Sequence, residues 1–128
     1  MTVRIVRLGT RRHLREGLRI GTVRRPPRGV PKERFAVDDW YDVWLPNLAP
    51  SAGLVQEARS AASPADWKRF VASYRAEMSR PENRCLLELL AALSRRTDLA
   101  VGCYCADESR CHRSVLRELL REAGAEFA

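Results

Sequence analysis

Two short segments near the start of the chain alternate apolar residues with polar or basic ones. Val3–Leu8 reads VRIVRL and Leu18–Val23 reads LRIGTV. A two-residue period is typical of strands that place one face against a core. The following stretch, Arg24–Lys32, holds three prolines and a glycine. Proline fixes φ and removes a backbone donor, so this stretch cannot be a helix. The pattern predicts two strands and then a basic loop.

The middle of the chain changes to a helical period. Ser63 and Pro64 form a helix start, with a capping side chain followed by proline at the first helical position. From Trp67 to Met78 the apolar residues recur at i, i+3, i+4, i+7 and i+11, which predicts one buried helix face. Similar signals on either side predict two more helices, so that the expected helical ranges are about 51–60, 63–80 and 82–96.

The last third of the chain indicates a strand, a loop and a helix. Leu99–Cys105 is apolar on both faces, as central covered strands are. A polar loop, Ala106–Arg110, precedes a helix that we expect from about Ser109 to Ala123, where Gly124 stops it. The complete order predicts an α/β fold in one compact domain over 1–128, with a small, mostly parallel sheet covered by helices. A ligand site is expected at the carboxyl edge of the Leu99–Cys105 strand.

Composition limits the cellular compartments in which we expect the protein. No apolar run approaches the roughly 20 residues that a membrane-spanning helix needs, and the start lacks the apolar region of a signal peptide. We therefore expect a cytoplasmic protein. In that compartment the four cysteines are not expected to form structural disulfides, so free thiols, a metal site or catalysis compete to explain them.

Positive charge is concentrated near the start of the chain. Residues 1–34 contain eleven arginines and lysines but two glutamates, whereas the rest holds twelve basic and fourteen acidic residues. This asymmetry predicts an anionic partner. Arg24, Arg25 and Arg28 are candidates for gripping phosphate. Two partners remain open: a small anionic ligand, or nucleic acid bound by the basic N-terminal third. A merely solvated basic surface is the simpler alternative.

Several segments together resemble a known family. They are Arg28-Gly29-Val30, Ala49-Pro50-Ser51, the helix Trp67–Glu77 and the ending Cys103–Arg113 with its Cys-His-Arg motif. In this order they are similar to the YeaO-like family of bacterial proteins, also called domain of unknown function 488. The resemblance covers roughly residues 18–120. It implies the fold, and it implies no reaction.

The Cys-His segment carries the candidate chemistry. Cys103 and Cys105 lie two residues apart on the expected strand and so point to the same side. Cys111 and His112 fall in the first turn of the last helix. We therefore expect the four groups to converge at the carboxyl end of the strand.

A reactive thiol is the first interpretation of this convergence. The helix start offers free N–H groups, and Arg110 and Arg113 add positive charge, so a thiol there is expected to have a lowered pKa. Cys105 and Arg110 form Cys-x4-Arg, which is similar to the loops of phosphatases and rhodaneses, although phosphatase loops use Cys-x5-Arg. Cys105 or Cys111 would be the nucleophile and His112 its base. The residues expected to bind the ligand are Ser109, Arg110 and Arg113, with the three loop arginines Arg24, Arg25 and Arg28.

Metal binding and packing are the other two interpretations. Cys103, Cys105, Cys111 and His112 offer four ligands for tetrahedral zinc, but their spacing departs from the usual structural clips. Adjacent helical residues such as Cys111 and His112 also point about 100° apart. In the packing interpretation the cysteines are small buried hydrophobes. We expect this of Cys103 and of Cys85.

Overall fold

Four parallel strands form one sheet at the centre of the fold. The computed structural model describes residues 1–128. The strands are β1 (Val3–Arg7), β2 (Leu18–Gly21), β3 (Val43–Trp44) and β4 (Leu99–Cys103), and their order across the sheet is β1-β4-β2-β3. The late strand β4 therefore pairs with both early strands, and all five of its residues are buried. This confirms the α/β fold and the central strand that the sequence predicts.

The structure has four helices, of which the first three follow the predicted ranges closely. They are α1 (Ala52–Ser60), α2 (Pro64–Met78), α3 (Pro81–Ser94) and α4 (His112–Glu122). At the start of α2 the Ser63 hydroxyl accepts a hydrogen bond from the Asp66 N–H at 3.2 Å, as its capping role requires. None of the helices is long and apolar enough to cross a membrane.

One apolar core joins the sheet to all four helices. Val3, Ile20, Leu99 and Val101 contribute from the strands. Every helix contributes at least one buried residue to the core: Leu54, Phe70, Tyr74, Met78, Leu87, Leu90, Val115, Leu116 and Leu120. Cys85 does not take part, because it is exposed on α3. The expectation that Cys85 packs in the core is therefore wrong: it lies outside the stripe of α3 that faces the sheet.

Gly21 of β2 allows a ring to pack directly on the sheet. The ring of Tyr41 lies directly against Gly21, where an added Cβ would come within 2.4 Å of the ring. A larger residue in β2 would displace Tyr41 from its buried position.

The strand and helix that flank the site differ from the predicted limits. β4 ends at Cys103, two residues early, and α4 begins at His112 rather than near Ser109. A single 3₁₀ turn, Glu108–Arg110, occupies the intervening positions. There the Asp107 carboxylate accepts a hydrogen bond from the Ser109 N–H at 3.0 Å. Cys111 then adopts an extended conformation and becomes the N-cap of α4.

Candidate functional site

The candidate site lies at the carboxyl edge of the two central strands. β4 ends at Cys103, and the chain leaving β2 passes beside it because the Thr22 N–H bonds to the Gly102 carbonyl at 2.9 Å. The start of α4 brings Cys111 and His112 to the same edge. Parallel strands expose their carboxyl ends together, so this edge is a usual place for a ligand in α/β folds.

Three sulfur atoms and one imidazole meet there. The donor atoms of Cys103, Cys111 and His112 all lie within 4.8 Å of one another. The Sγ atom of Cys105 lies 3.8 Å from that of Cys103. Cys103 and Cys111 are buried, whereas Cys105 is exposed. The four groups of the predicted cluster are thus brought together, and Cys105 is the thiol that solvent reaches.

The hydrogen bonds of Thr22 select the tautomer of the neutral His112 ring. The Thr22 hydroxyl lies 3.0 Å from the Gly102 carbonyl oxygen and 3.1 Å from Nε2 of His112. A carbonyl only accepts, so the hydroxyl donates its single proton to Gly102 and accepts from Nε2–H. In the neutral ring Nδ1 is then unprotonated. It lies 3.6 Å from the Cys111 sulfur, where it can accept the thiol proton.

Arg113 lies beneath the cysteines with its side chain buried. Nη1 donates to the Val6 carbonyl at 2.8 Å and Nη2 to the Cys105 carbonyl at 2.6 Å. Nε donates to the sulfur of Cys111 at 3.4 Å. These contacts tie β1, the strand-to-helix loop and the start of α4 to one cation.

The three sulfur atoms share hydrogen bonds, and Cys103 is a donor to Cys105. The hydrogen bonds to Cys105 and Cys111, followed by burial, raise the pKa of Cys103. The hydrogen bond from Cys103 is the largest effect that lowers the pKa of Cys105, and the charges of Arg113 and Arg59 lower it further against the opposing effect of burial. The same donor lowers the pKa of Cys111. Negative charge is therefore favoured on Cys105 or Cys111 over Cys103.

A cavity of about 430 Å³ opens above the cluster, and all three cysteines and His112 line it. Its wall also holds five arginines and no carboxylate: Arg24, Arg25, Arg28, Arg59 and Arg110. Such a wall attracts anions, because nothing within it neutralises the positive charge. We call this cavity, with its cysteines, His112 and five arginines, the cysteine pocket.

The pocket takes in most of the residues predicted to bind the ligand. The Arg24 guanidinium donates hydrogen bonds to the carbonyls of Ala49 and Pro50. The Arg110 guanidinium lies 5.7 Å from the centre of the Trp67 ring. Ser109 and Arg113 are not among the residues of its wall. The Ser109 hydroxyl bonds to Asp107 at 2.7 Å, and Arg113 is occupied by the contacts beneath the sulfurs.

Arg59 and Tyr104 are among the pocket residues that sequence reasoning missed. Arg59 lies in the last turn of α1, and nothing in the sequence connects that turn with the cysteines. Tyr104 lies between Cys103 and Cys105, and its hydroxyl donates to the Arg25 carbonyl at 2.7 Å. This bond holds the basic loop against the pocket. An aromatic residue between two site cysteines was the one available signal.

Comparison with known proteins identifies the family of the chain. A family model described as the active DUF488-N3 subclade matches residues 3–124. The chain belongs to the DUF488 family. The match includes both early strands and the Cys-His-Arg ending, so the YeaO-like resemblance is confirmed. No curated protein and no solved structure matches the chain.

The cluster of this DUF488 protein could also hold a metal ion. Thiolate and imidazole are ligands that zinc accepts, and Cys103, Cys111 and His112 offer three such donors within reach of one another. Cys105 would be the fourth. The Arg113 guanidinium opposes a second cation at this place, because its Nε already bonds to Cys111. The donor set suits zinc, whereas the charge beneath it suits a thiolate.

Proposed function

We propose that this protein binds a phosphate-bearing or similarly anionic ligand in the cysteine pocket and acts on it with the thiolate of Cys105. The observation that carries the proposal is the shared wall: five arginines without a carboxylate surround the same cavity as the thiols. A pocket built only to pack cysteines has no need of this charge. A reducing cytoplasmic compartment would keep the thiols free.

Cys105 is the better of the two predicted nucleophiles. It is exposed, whereas Cys111 is only 2% exposed. Its pKa is lowered, so more of it is thiolate at neutral pH, and the thiolate is the reactive form. Its sulfur would form a bond to an electrophilic atom of the ligand while the bond to the leaving group breaks and the electron pair departs with that group.

Cys111 and His112 take supporting roles in this proposal. His112 accepts the proton of Cys111 through Nδ1, and Arg113 stabilises the resulting negative sulfur. Cys103 keeps its proton and donates it as a hydrogen bond to Cys105. Arg113 thus positions the loop and the cysteines and adds a positive charge beneath them, and it does not touch the ligand.

The location of the early arginines favours a pocket over a separate nucleic-acid-binding surface. Arg24, Arg25 and Arg28 line the cavity that also contains Cys111. Three other early arginines pair with carboxylates: Arg12 with Asp42, Arg19 with Glu16 and Arg34 with Asp38. Part of the basic excess of residues 1–34 is therefore directed toward the thiols.

The proposal is tested by comparing a negatively charged and a neutral alkylating reagent. We expect iodoacetate to react faster relative to iodoacetamide at Cys105 than at Cys85, which is exposed on α3 outside the pocket. Arg110→Ala should reduce this preference about fivefold to tenfold, because it removes a charge from the wall. Inorganic phosphate should slow the alkylation of Cys105 and leave Cys85 unchanged.

The matched control is Arg15→Ala, which removes an exposed arginine outside the pocket and away from Cys85, and should leave the ratio unchanged. Mass spectrometry after digestion gives the rate at each cysteine. Equal iodoacetate-to-iodoacetamide ratios at Cys105 and Cys85, with no effect of phosphate, would show that the pocket does not select anions.

A further inference from the structure

A second and larger concavity adjoins the cysteine pocket. It has a volume of about 1250 Å³ and is open to solvent, and it shares Arg25, Arg28, Arg59 and Tyr104 with the pocket. Arg7 and Trp40 lie in its wall and not in that of the pocket. We call it the arginine groove and define it by Arg7, Arg25, Arg28, Arg59, Trp40 and Tyr104. The shared residues make groove and pocket one continuous surface.

None of the groove arginines has a carboxylate partner. Arg7, Arg25, Arg28 and Arg59 are exposed and belong to none of the salt bridges. The arginines that do pair with carboxylates lie outside both cavities: Arg12, Arg19, Arg34, Arg69, Arg75, Arg117 and Arg121. No carboxylate lines the groove either. Its positive charge is therefore available to a ligand.

Two aromatic rings accompany this charge. The Trp40 and Tyr104 rings meet edge to face, with centroids 5.9 Å apart. Trp40 lies directly over Gly9, where an added Cβ would come within 2.8 Å of the ring. Tyr104 is held by its bond to Arg25. Fixed rings beside unpaired arginines are the combination that binds the bases and phosphates of an unpaired strand.

The size of the combined surface favours a ligand larger than a single small anion. The groove alone exceeds the range of about 300–1,000 Å³ that is usual for small-molecule sites. Four unpaired arginines spread along it match a ligand with repeated negative charges. An extended chain of nucleotides has such repeated charges, together with flat groups for Trp40 and Tyr104.

We propose that the arginine groove binds single-stranded nucleic acid and that the cysteine pocket receives one nucleotide of that strand. This inference rests on the proposed function, because it identifies the anionic ligand of the pocket as part of a polynucleotide. The groove holds the backbone of the strand, and the shared residues Arg25, Arg28 and Arg59 guide it from groove to pocket.

The test measures binding of fluorescent oligothymidylate and oligouridylate, each about 12 nucleotides long, which is within the site size of known single-strand binders. Fluorescence anisotropy over a series of KCl concentrations gives the affinity and its salt dependence. If each of the four groove arginines contacts a phosphate, log K should fall with log[KCl] with a slope of about −3.

Arg7→Ala is the decisive variant, because Arg7 lines the groove and not the pocket. We expect it to weaken binding about tenfold, as loss of a charge-assisted hydrogen bond does, and to reduce the magnitude of the salt slope by about 0.7. Arg15→Ala is the matched control: it removes an exposed arginine that lies outside both cavities and should change affinity less than twofold.

The outcomes separate this inference from the proposed function. Absence of binding to both oligonucleotides, while phosphate still slows alkylation of Cys105, would overturn the groove and leave the pocket intact. Equal losses from Arg7→Ala and Arg15→Ala, or equal affinity for a duplex of the same length, would also overturn it. If phosphate and oligonucleotide both leave Cys105 unprotected, the two proposals fail together. Binding that protects Cys105 and depends on Arg7 supports both.

Discussion

Arg113 places its Nε 3.4 Å from the sulfur of Cys111 in a part of the protein where no carboxylate pairs with it. A buried cation needs compensation, because burial removes its hydration. Two carbonyls and one sulfur supply it here. The sulfur is the only one of these three partners that can carry a full negative charge. Buried Arg113 and a thiolate in this cluster therefore stabilise each other.

Loss of Arg113 should damage both stability and thiol chemistry. Arg113→Met removes the donors to Val6, Cys105 and Cys111, so we expect the free energy of unfolding to fall by about 3 kcal/mol. The pKa of Cys105 should rise, because the Arg113 charge helps to lower it. Urea unfolding and the pH dependence of Cys105 alkylation measure the two effects.

Arg117→Met is the control on the same helix. Arg117 pairs with Glu108 at 2.7 Å, and both side chains are about one-third exposed, so its loss should cost less than about 1 kcal/mol. Equal destabilisation by the two variants would contradict the special role of Arg113.

The lowered pKa of Cys105 should appear in the pH dependence of stability. Hydrogen bonding from Cys103 lowers the pKa of Cys105 in the folded protein, whereas an unfolded cysteine has a pKa of about 8.5. The folded state then favours the thiolate. Its stabilising contribution is fully present above about pH 8.5 and is lost as pH falls toward the folded pKa.

Cys105→Ser tests this linkage. Between about pH 6 and pH 8.5 the stability of the unmodified protein should rise relative to that of Cys105→Ser, because serine does not ionise in this range. Urea midpoints at several pH values give the difference. A difference that stays constant over the range would show that the pKa of Cys105 is not lowered.

Thr22 should matter through the orientation of His112. Thr22→Val leaves the Nε2–H of the buried His112 without an acceptor, and we expect a loss of about 1–3 kcal/mol in unfolding free energy. Thr22→Ser keeps the hydroxyl and should lose less than half as much. Thermal or urea unfolding of the two variants decides the matter. Similar losses would mean that the methyl group, and not the hydrogen bond, is important.

A metal assay separates the thiolate from the zinc alternative. If the cluster acts as thiols, purified protein should contain well under one zinc per chain, and a chelator should not change the alkylation rate of Cys105. If Cys103, Cys111 and His112 hold zinc, the metal should be stoichiometric, and its removal should expose the cysteines to alkylation and lower the melting temperature. The second result would replace the thiol proposal.

Much of the candidate site could be predicted because its chemistry is local in sequence. The Cys103–Arg113 segment contains all three sulfurs, the imidazole and two of the arginines. The two-residue spacing of Cys103 and Cys105 and the helix start at Cys111 were sufficient to predict their convergence. The exact start of α4 was not predicted, because the Asp107 carboxylate stabilises a separate turn that the helical pattern does not reveal.

The hydrophobic period, capping residues and short-range spacing were enough to predict the α/β class, the order of β1, β2, the helices and β4, and the cysteine cluster. They did not predict β3, which has only two residues and so no period of its own. Which arginines line or support the site depends on the tertiary structure alone. Arg59 lines the pocket from α1, and Arg113 is buried beneath the sulfur atoms. Arg19 is fully buried and pairs with Glu16. The charge of an arginine is the same in each place, and its use depends on contacts between residues far apart in the chain.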